Sequence, residues 1–346
     1  MNLKLQKSKI VTLQSAIKIT GSKSETNRLL LLQALYPNIS LENSSNSDDS
    51  ELMIKALQQS TISNQQSTII DVHHAGTAMR FLTAFFAIQE NSEVVLTGSN
   101  RMKERPIKIL VDALKELGAE IYYEEKEGFP PIRIQGKKLT NNKVALPANV
   151  SSQYISALLL IAPKLENGLE LTLEGEVTSV PYIKMTLALL NEIGVKTSFL
   201  DNSIKIEYLS QIPPSGVRGL IESDWSSASY WYSIIALSEI GTQITLSSYK
   251  QNSLQGDSAL AEIYNDFGVE TIFKANSTIT ISKGETHNPQ PTTYNLKDCP
   301  DIAQTIAVTC FGLGIACELS GLHTLKIKET DRLEALKTEL SKLGAK

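Results

Sequence analysis

At 346 residues the chain is long enough for one very large domain or two ordinary ones. Its 42% apolar content is that of a globular protein, and a net charge of −4 implies no general attraction to nucleic acid or membrane, so any anion site must be built locally. No apolar run approaches the ~20 residues needed to span a bilayer, and the N-terminus has no secretory core. Cys299, Cys310 and Cys317 lack CxxC spacing, which argues against a disulfide framework or a zinc site and for a reduced, cytoplasmic protein.

Taken in chain order, the predicted elements repeat. A first, shorter unit opens at Ser22, with Leu29–Leu35 as a buried helix. The next opens at Gly76-Thr77. Ala78–Ile88 is its buried helix, Val94–Leu96 a strand, Pro106–Leu117 a second helix, and Ile121–Tyr123 and Ile132–Ile134 two further strands. The third opens at Ser151-Ser152. It has a buried helix, a strand at Leu169–Leu173, an amphipathic helix at Tyr182–Ile193 and a hairpin turning at Asp201-Asn202. Further units open at Ser226-Ser227, read as simple capping, and at Pro300-Asp301. The last contains Ile302–Phe311, a strand at Cys317–Leu319 and the helix Arg332–Leu343. The steps from Gly76 to Ser151, to Ser226 and to Asp301 are each 75 residues. A second marker keeps pace: Gly118, Gly194, Gly268 and Gly344, each expected to stop a helix. One βαβαββ unit is therefore used several times. The final copy lacks its last two strands, so the sequence predicts that the natural protein continues past Lys346 and that the chain as given is impaired.

Charged and hydroxyl residues gather at the helix starts. Lys23, Ser24 and Arg28 flank the first, in a segment that lacks the leading glycine of a nucleotide P-loop. Gly76 would let a ligand approach the backbone of the next, and Arg80, one turn in on a buried helix, calls for an anionic partner. Arg101, Lys103 and Arg105 precede a further helix. Ser151, Ser152, Gln153 and Ser179 are neutral donors suited to a phosphate or to capping. Asp301 stands at the equivalent start as a carboxylate able to act as a base. In Lys328-Glu329-Thr330-Asp331-Arg332, helical spacing puts Lys328 and Arg332 on one face. His73 and His74, read as extended, would face opposite sides and so make no metal pair. Gly312-Leu313-Gly314 is too weak for a dinucleotide site. The convergence predicts a polyanionic small ligand, or two, bound between two repeat-built lobes.

GSKSETNR (21–28), AGTAMR (75–80), RMKERPI (101–107), SSQYISALLL (151–160), SVPYIKMTL (179–187), SSASY (226–230), PDIAQTIA (300–307) and KETDR (328–332) together resemble the enolpyruvyl transferase family, in family order. The resemblance implies a two-lobed inside-out α/β barrel of βαβαββ units. Its lobes would be 21–221, and 1–20 plus 222–346, the second incomplete. It implies transfer of the enolpyruvyl group of phosphoenolpyruvate to the 5-hydroxyl of shikimate 3-phosphate by a monomer, with no metal or organic cofactor and no nucleic-acid or membrane partner. By resemblance, Asp301, Glu329 and Lys23 are catalytic. Lys23, Ser24, Arg28, Ser151, Ser152, Gln153, Ser179, Asp301 and Lys328 bind shikimate 3-phosphate. Lys23, Gly76, Arg80, Arg105, Gln153 and Arg332 bind phosphoenolpyruvate. His74 and Phe81 depart from the family pattern, as do Trp225 and Trp231. The family's later Asp-His-Arg start and basic end are missing. Two alternatives are a sister transferase acting on UDP-N-acetylglucosamine, disfavoured because residues 99–107 contain no Cys, and a shikimate 3-phosphate-binding module without turnover.

Overall fold

A computed structural model of the chain describes residues 16–60, 68–148, 151–177, 180–209, 218–285 and 291–346. The chain forms two compact units. The larger comprises Thr20–Ile221 with the short segment Ile327–Asp331. The smaller comprises residues 16–19, Glu222–Lys326 and Arg332–Lys346. The five residues Ile327–Asp331 thus leave the stretch of chain that surrounds them in sequence.

The helices, in chain order, are α1 (Lys23–Leu35), α2 (Asp48–Ser60), α3 (Gly76–Ala87), α4 (Asn100–Lys103), α5 (Lys108–Glu116), α6 (Ser152–Ile161) and α7 (Val180–Glu192) in the larger unit. The smaller unit has α8 (Trp225–Ala236), α9 (Leu260–Ile263), α10 (Ala303–Leu313) and α11 (Arg332–Lys342). No described helix is long and apolar enough to cross a membrane.

The class is α/β, and the repeat is visible in the sheets. Leu169–Glu174 runs parallel to Lys143–Pro147 and antiparallel to Ser203–Ile206, which pairs in turn with Thr197–Leu200. The same order recurs with Glu93–Thr97 at the equivalent place, and again with Gln243–Ser247 in the smaller unit. Thr292–Asn295 and Cys317–Ser320 form a two-stranded parallel pair. Leu169, Leu171 and Leu173 are buried while the alternate residues face outward, as period two requires. On that outer face Glu170 pairs with Lys143 and Lys205. Asp201 and Asn202 both take positive φ, 47° and 60°, which suits the tight turn of a two-residue hairpin. The marker glycines Gly118, Gly194, Gly268 and Gly344 all have positive φ after a helical segment.

Inside the larger unit α1, α3, α6 and α7 pack on one another. Every residue of α3 is buried, Thr77, Arg80 and Thr83 included, the expected fate of a largely apolar helix. The period also appears as contact register. Gln153 donates to the Thr77 hydroxyl, Ser229 meets Thr305 and Thr309 meets Ser233, each pair 76 residues apart. Equivalent turns of equivalent helices therefore touch, and short hydroxyl side chains let them approach while satisfying each other.

The smaller unit is built around aromatic residues. Trp225 is fully buried, its Nε1 donates to Glu222 Oε1 at 2.8 Å, and its ring meets Tyr249 edge-on at 4.8 Å. Where other copies have one helix, residues 256–267 break into two 3₁₀ turns around the short α9. Polar ties at that point compete with a regular helix: the Ser226 hydroxyl donates to Asp257, and Gln255 holds the Trp225 amide and the Ser223 carbonyl. Trp225→Ala is expected to cost about 3–5 kcal/mol of stability, read as a lower urea midpoint at unchanged slope; a loss under ~1 kcal/mol would mean that this core collapses readily around the gap.

Candidate active site

In the larger unit α1 begins at Lys23, with Ser22 as N-cap accepting from the Glu25 amide. Its next turn turns inward: Thr26, Asn27 and Arg28 are buried. The Arg28 guanidinium donates to Thr186 Oγ1 (2.8 Å), to the Ser24 carbonyl (2.7 Å) and to Ser156 Oγ (2.9 Å). It lies 5.4 Å from the centroid of the Phe81 ring. Phe81 thus places an aromatic face beneath a buried cation, a favourable arrangement. Burial lowers the Arg28 pKa to about 10, against opposing contributions from Tyr182 and Glu25.

The start of α3 has no side-chain cap of its own. Asp49, from the first turn of α2, accepts the Thr77 amide instead at 3.2 Å. Arg80 points back along the helix. It donates to the Gly76 carbonyl at 3.3 Å and the Pro106 carbonyl at 3.0 Å, and lies 5.9 Å from the Tyr154 ring centroid. The sequence predicts an anionic partner for this residue; the acceptors found are these two carbonyls and the Met102 sulfur, all neutral. The second helix of this copy accordingly starts at Lys108 rather than Pro106, the Pro106 carbonyl receiving both Arg80 and the Tyr154 hydroxyl.

Arg105 is 7% exposed, donates to the His74 carbonyl at 3.3 Å, and its Nε has no hydrogen-bond partner among the described residues. Burial, then the neighbouring charge of Arg80, lowers its pKa to about 10, while Glu329, Asp49 and Tyr154 act the other way. Two buried guanidinium groups that repel each other and lean on neutral acceptors favour an arriving anion, because desolvated like charges are costly until neutralised. A Cβ on Gly76 would lie 2.5 Å from Arg105 Nη2. The group that needs the bare backbone at Gly76 is therefore Arg105.

Ser151 caps α6, accepting from the Gln153 amide at 3.3 Å, with Ser152 beside it. Ser179 lies outside the described residues. Lys328 and Glu329 belong to this unit through Ile327–Asp331, and the Lys328 carbonyl accepts from Arg101 Nη2 at 3.4 Å.

In the smaller unit Asp301 sits in the 3₁₀ turn that leads into α10. Arg332 is the first residue of α11, and its Nη1 donates to Asp301 Oδ1 at 2.9 Å. Since α11 starts at Arg332, Lys328 lies outside the helix, and the i,i+4 face predicted for Lys328 and Arg332 does not form. The two residues join different units. His73 and His74 also differ from expectation. They stand in a turn, His73 at φ 47°, and their Nδ1 atoms face each other. A left-handed residue removes the alternation that an extended segment would impose.

Asp49, Ser156, Thr186 and the His74 carbonyl enter the site without a sequence reading to forecast them. The visible signal was slight: an acidic first turn at Asp48-Asp49 and a lone Thr in the apolar stripe of α7.

A model of the EPSP synthase family (3-phosphoshikimate 1-carboxyvinyltransferase) matches residues 7–346. The chain belongs to that family. The 3-phosphoshikimate 1-carboxyvinyltransferase of Bacteroides fragilis (strain YCH46) is 46% identical over 334 residues, covering 96% of this chain and 78% of the relative. The protein of that name from Haemophilus influenzae (strain PittEE) is 36% identical over 362 residues, covering 97% and 82%. The solved EPSP synthase of Acinetobacter baumannii shares the fold, with a TM-score of 0.72 at 18% identity over 94% of this chain and 77% of that one. The chain is a transferase, and its function is the enolpyruvyl transfer of the shikimate pathway.

Proposed function

We propose the following assignment of residues to the transfer of the enolpyruvyl group of phosphoenolpyruvate to the 5-hydroxyl of shikimate 3-phosphate. The single observation that supports it most is the pair of buried guanidinium groups, Arg80 and Arg105, at the start of α3. With Lys23, Gly76, Gln153 and Arg332 they take phosphoenolpyruvate, Arg forks being suited to carboxylate and phosphate. Shikimate 3-phosphate is taken by Lys23, Ser24, Arg28, Ser151, Ser152, Gln153, Ser179, Asp301 and Lys328.

Asp301 accepts the 5-hydroxyl proton as the oxygen bonds to C2 of phosphoenolpyruvate, and C3 gains a proton. The resulting tetrahedral intermediate then loses a C3 proton as the C2–O bond to phosphate breaks. Lys23 and Glu329 carry the proton to and from C3. A cytoplasmic monomer completes the reading.

The test is titration with shikimate 3-phosphate, alone and with phosphoenolpyruvate, beside an assay of phosphate release. Binding of the first with release on adding the second supports the assignment; no binding of shikimate 3-phosphate overturns it. Gly76→Ala should raise the KM for phosphoenolpyruvate by about tenfold, because the new methyl must displace Arg105, with a stability change of roughly 1 kcal/mol. An unchanged KM would show that Arg105 shifts without consequence for substrate.

A further inference from the structure

Arg105 stands on the short connection between α4, which ends at Lys103, and α5, which begins at Lys108. Its own amide donates to the Met102 carbonyl at 3.0 Å, and the Ile107 amide donates to the Gly128 carbonyl at 2.9 Å. Between them Pro106 has no amide hydrogen, so its carbonyl is its one backbone handle. That oxygen accepts from Tyr154 Oη and, at 3.0 Å, from Arg80 Nη2. A carbonyl has two lone pairs, so both donors fit.

Tyr154 comes from the first turn of α6, 48 residues beyond Pro106. It is 6% exposed, and a buried aromatic ring with two torsions to fix is a stiff support. It meets Arg80 twice. Its ring centroid lies 5.9 Å from the guanidinium carbon, and its hydroxyl shares the Pro106 carbonyl with Arg80 Nη2. That carbonyl belongs to the residue that follows Arg105. One phenol therefore steadies the acceptor of one guanidinium and the backbone beside the other. Arg80 and Arg105 repel each other, so their spacing has to be held by the groups around them.

We infer that Tyr154 is a positioning residue: through its ring and the Pro106 carbonyl it sets the spacing of Arg80 and Arg105, and with it the affinity for phosphoenolpyruvate, without touching substrate. The inference rests on the proposed role of those two arginines in binding that substrate. It also gives α6 a second task. Ser151, Ser152 and Gln153 at its start are assigned to shikimate 3-phosphate, and the next residue orders the groups that take phosphoenolpyruvate.

Tyr154→Phe removes the hydroxyl and keeps the ring, and the Pro106 carbonyl retains Arg80 as a donor, so that oxygen is not left unpaired. The KM for phosphoenolpyruvate should rise about fivefold, the order expected for one lost orienting hydrogen bond, with kcat and the KM for shikimate 3-phosphate within about twofold. The melting temperature should stay within about 3 °C. Tyr154→Leu also takes the aromatic face from Arg80 and should raise the same KM further, by about twentyfold. Calorimetric titration with phosphoenolpyruvate, at saturating shikimate 3-phosphate, gives the same ranking where turnover is slow. A merely structural role would move the melting temperature and both KM values together, and that result overturns the inference. So does an unchanged phosphoenolpyruvate KM in Tyr154→Phe where Arg105→Ala raises it, which leaves the role of the arginines standing. If Arg80→Ala and Arg105→Ala both leave that KM unchanged, the role assigned to the arginines fails first, and the inference falls with it.

Discussion

Asp301→Asn is expected to reduce phosphate release by about 10²- to 10⁴-fold, the range for losing a positioned base. Binding of shikimate 3-phosphate should stay within about twofold, since the amide oxygen can still take a hydrogen bond at the same place. The fold should also tolerate the change. Asp301 and Arg332 are about a quarter exposed, so the pair is partly screened and its loss should cost no more than about 1 kcal/mol. Calorimetry with shikimate 3-phosphate and a phosphate-release assay on the same preparation separate the two effects. Turnover within tenfold of the parent would remove Asp301 as proton acceptor. Loss of binding in parallel would recast it as a substrate anchor.

Arg105→Ala carries the second large effect. Losing a desolvated, charge-assisted contact to an anion costs about 2–5 kcal/mol. The KM for phosphoenolpyruvate should therefore rise by roughly 30- to several thousand-fold. Stability should move the other way or hardly at all. Arg105 is held at a cost, through burial and the adjacent charge of Arg80, so its removal relieves repulsion. Higher KM with an equal or higher melting temperature is the signature of a binding residue. A sharp fall in melting temperature with KM unchanged would mark Arg105 as structural. Arg105→Lys should fall between parent and Ala, keeping charge but losing the planar fork.

The elements most legible from the residues were those whose surface is largely apolar. The core of α3 lies where the run after Gly76-Thr77 predicts, because a largely apolar run is driven to burial and carries Arg80 in with it. The hairpin at Asp201-Asn202 was equally plain, since few residue pairs accept two left-handed positions. Other readings failed where a distant group intervened. Pro106 looked like a helix start, yet its carbonyl serves Arg80 and Tyr154. His73 looked extended, yet its carbonyl takes the Ser99 amide and its own amide donates to Asp71, holding a turn. Asp49 sits 28 residues from Thr77, beyond the reach of any local pattern.

The sequence by itself determined the repeating unit, the buried character of its helices, and the gathering of hydroxyl and charged residues at their starts. These follow from periodicity and capping chemistry, which act over a few residues. Only the tertiary structure decided the partners. Arg80 rests on neutral acceptors, Gly76 makes room for Arg105, Phe81 lies beneath Arg28, and Lys328 and Arg332 belong to different units. Partner choice depends on where side chains from remote segments arrive, and that is set by packing of the whole chain and by the need to satisfy each buried polar group.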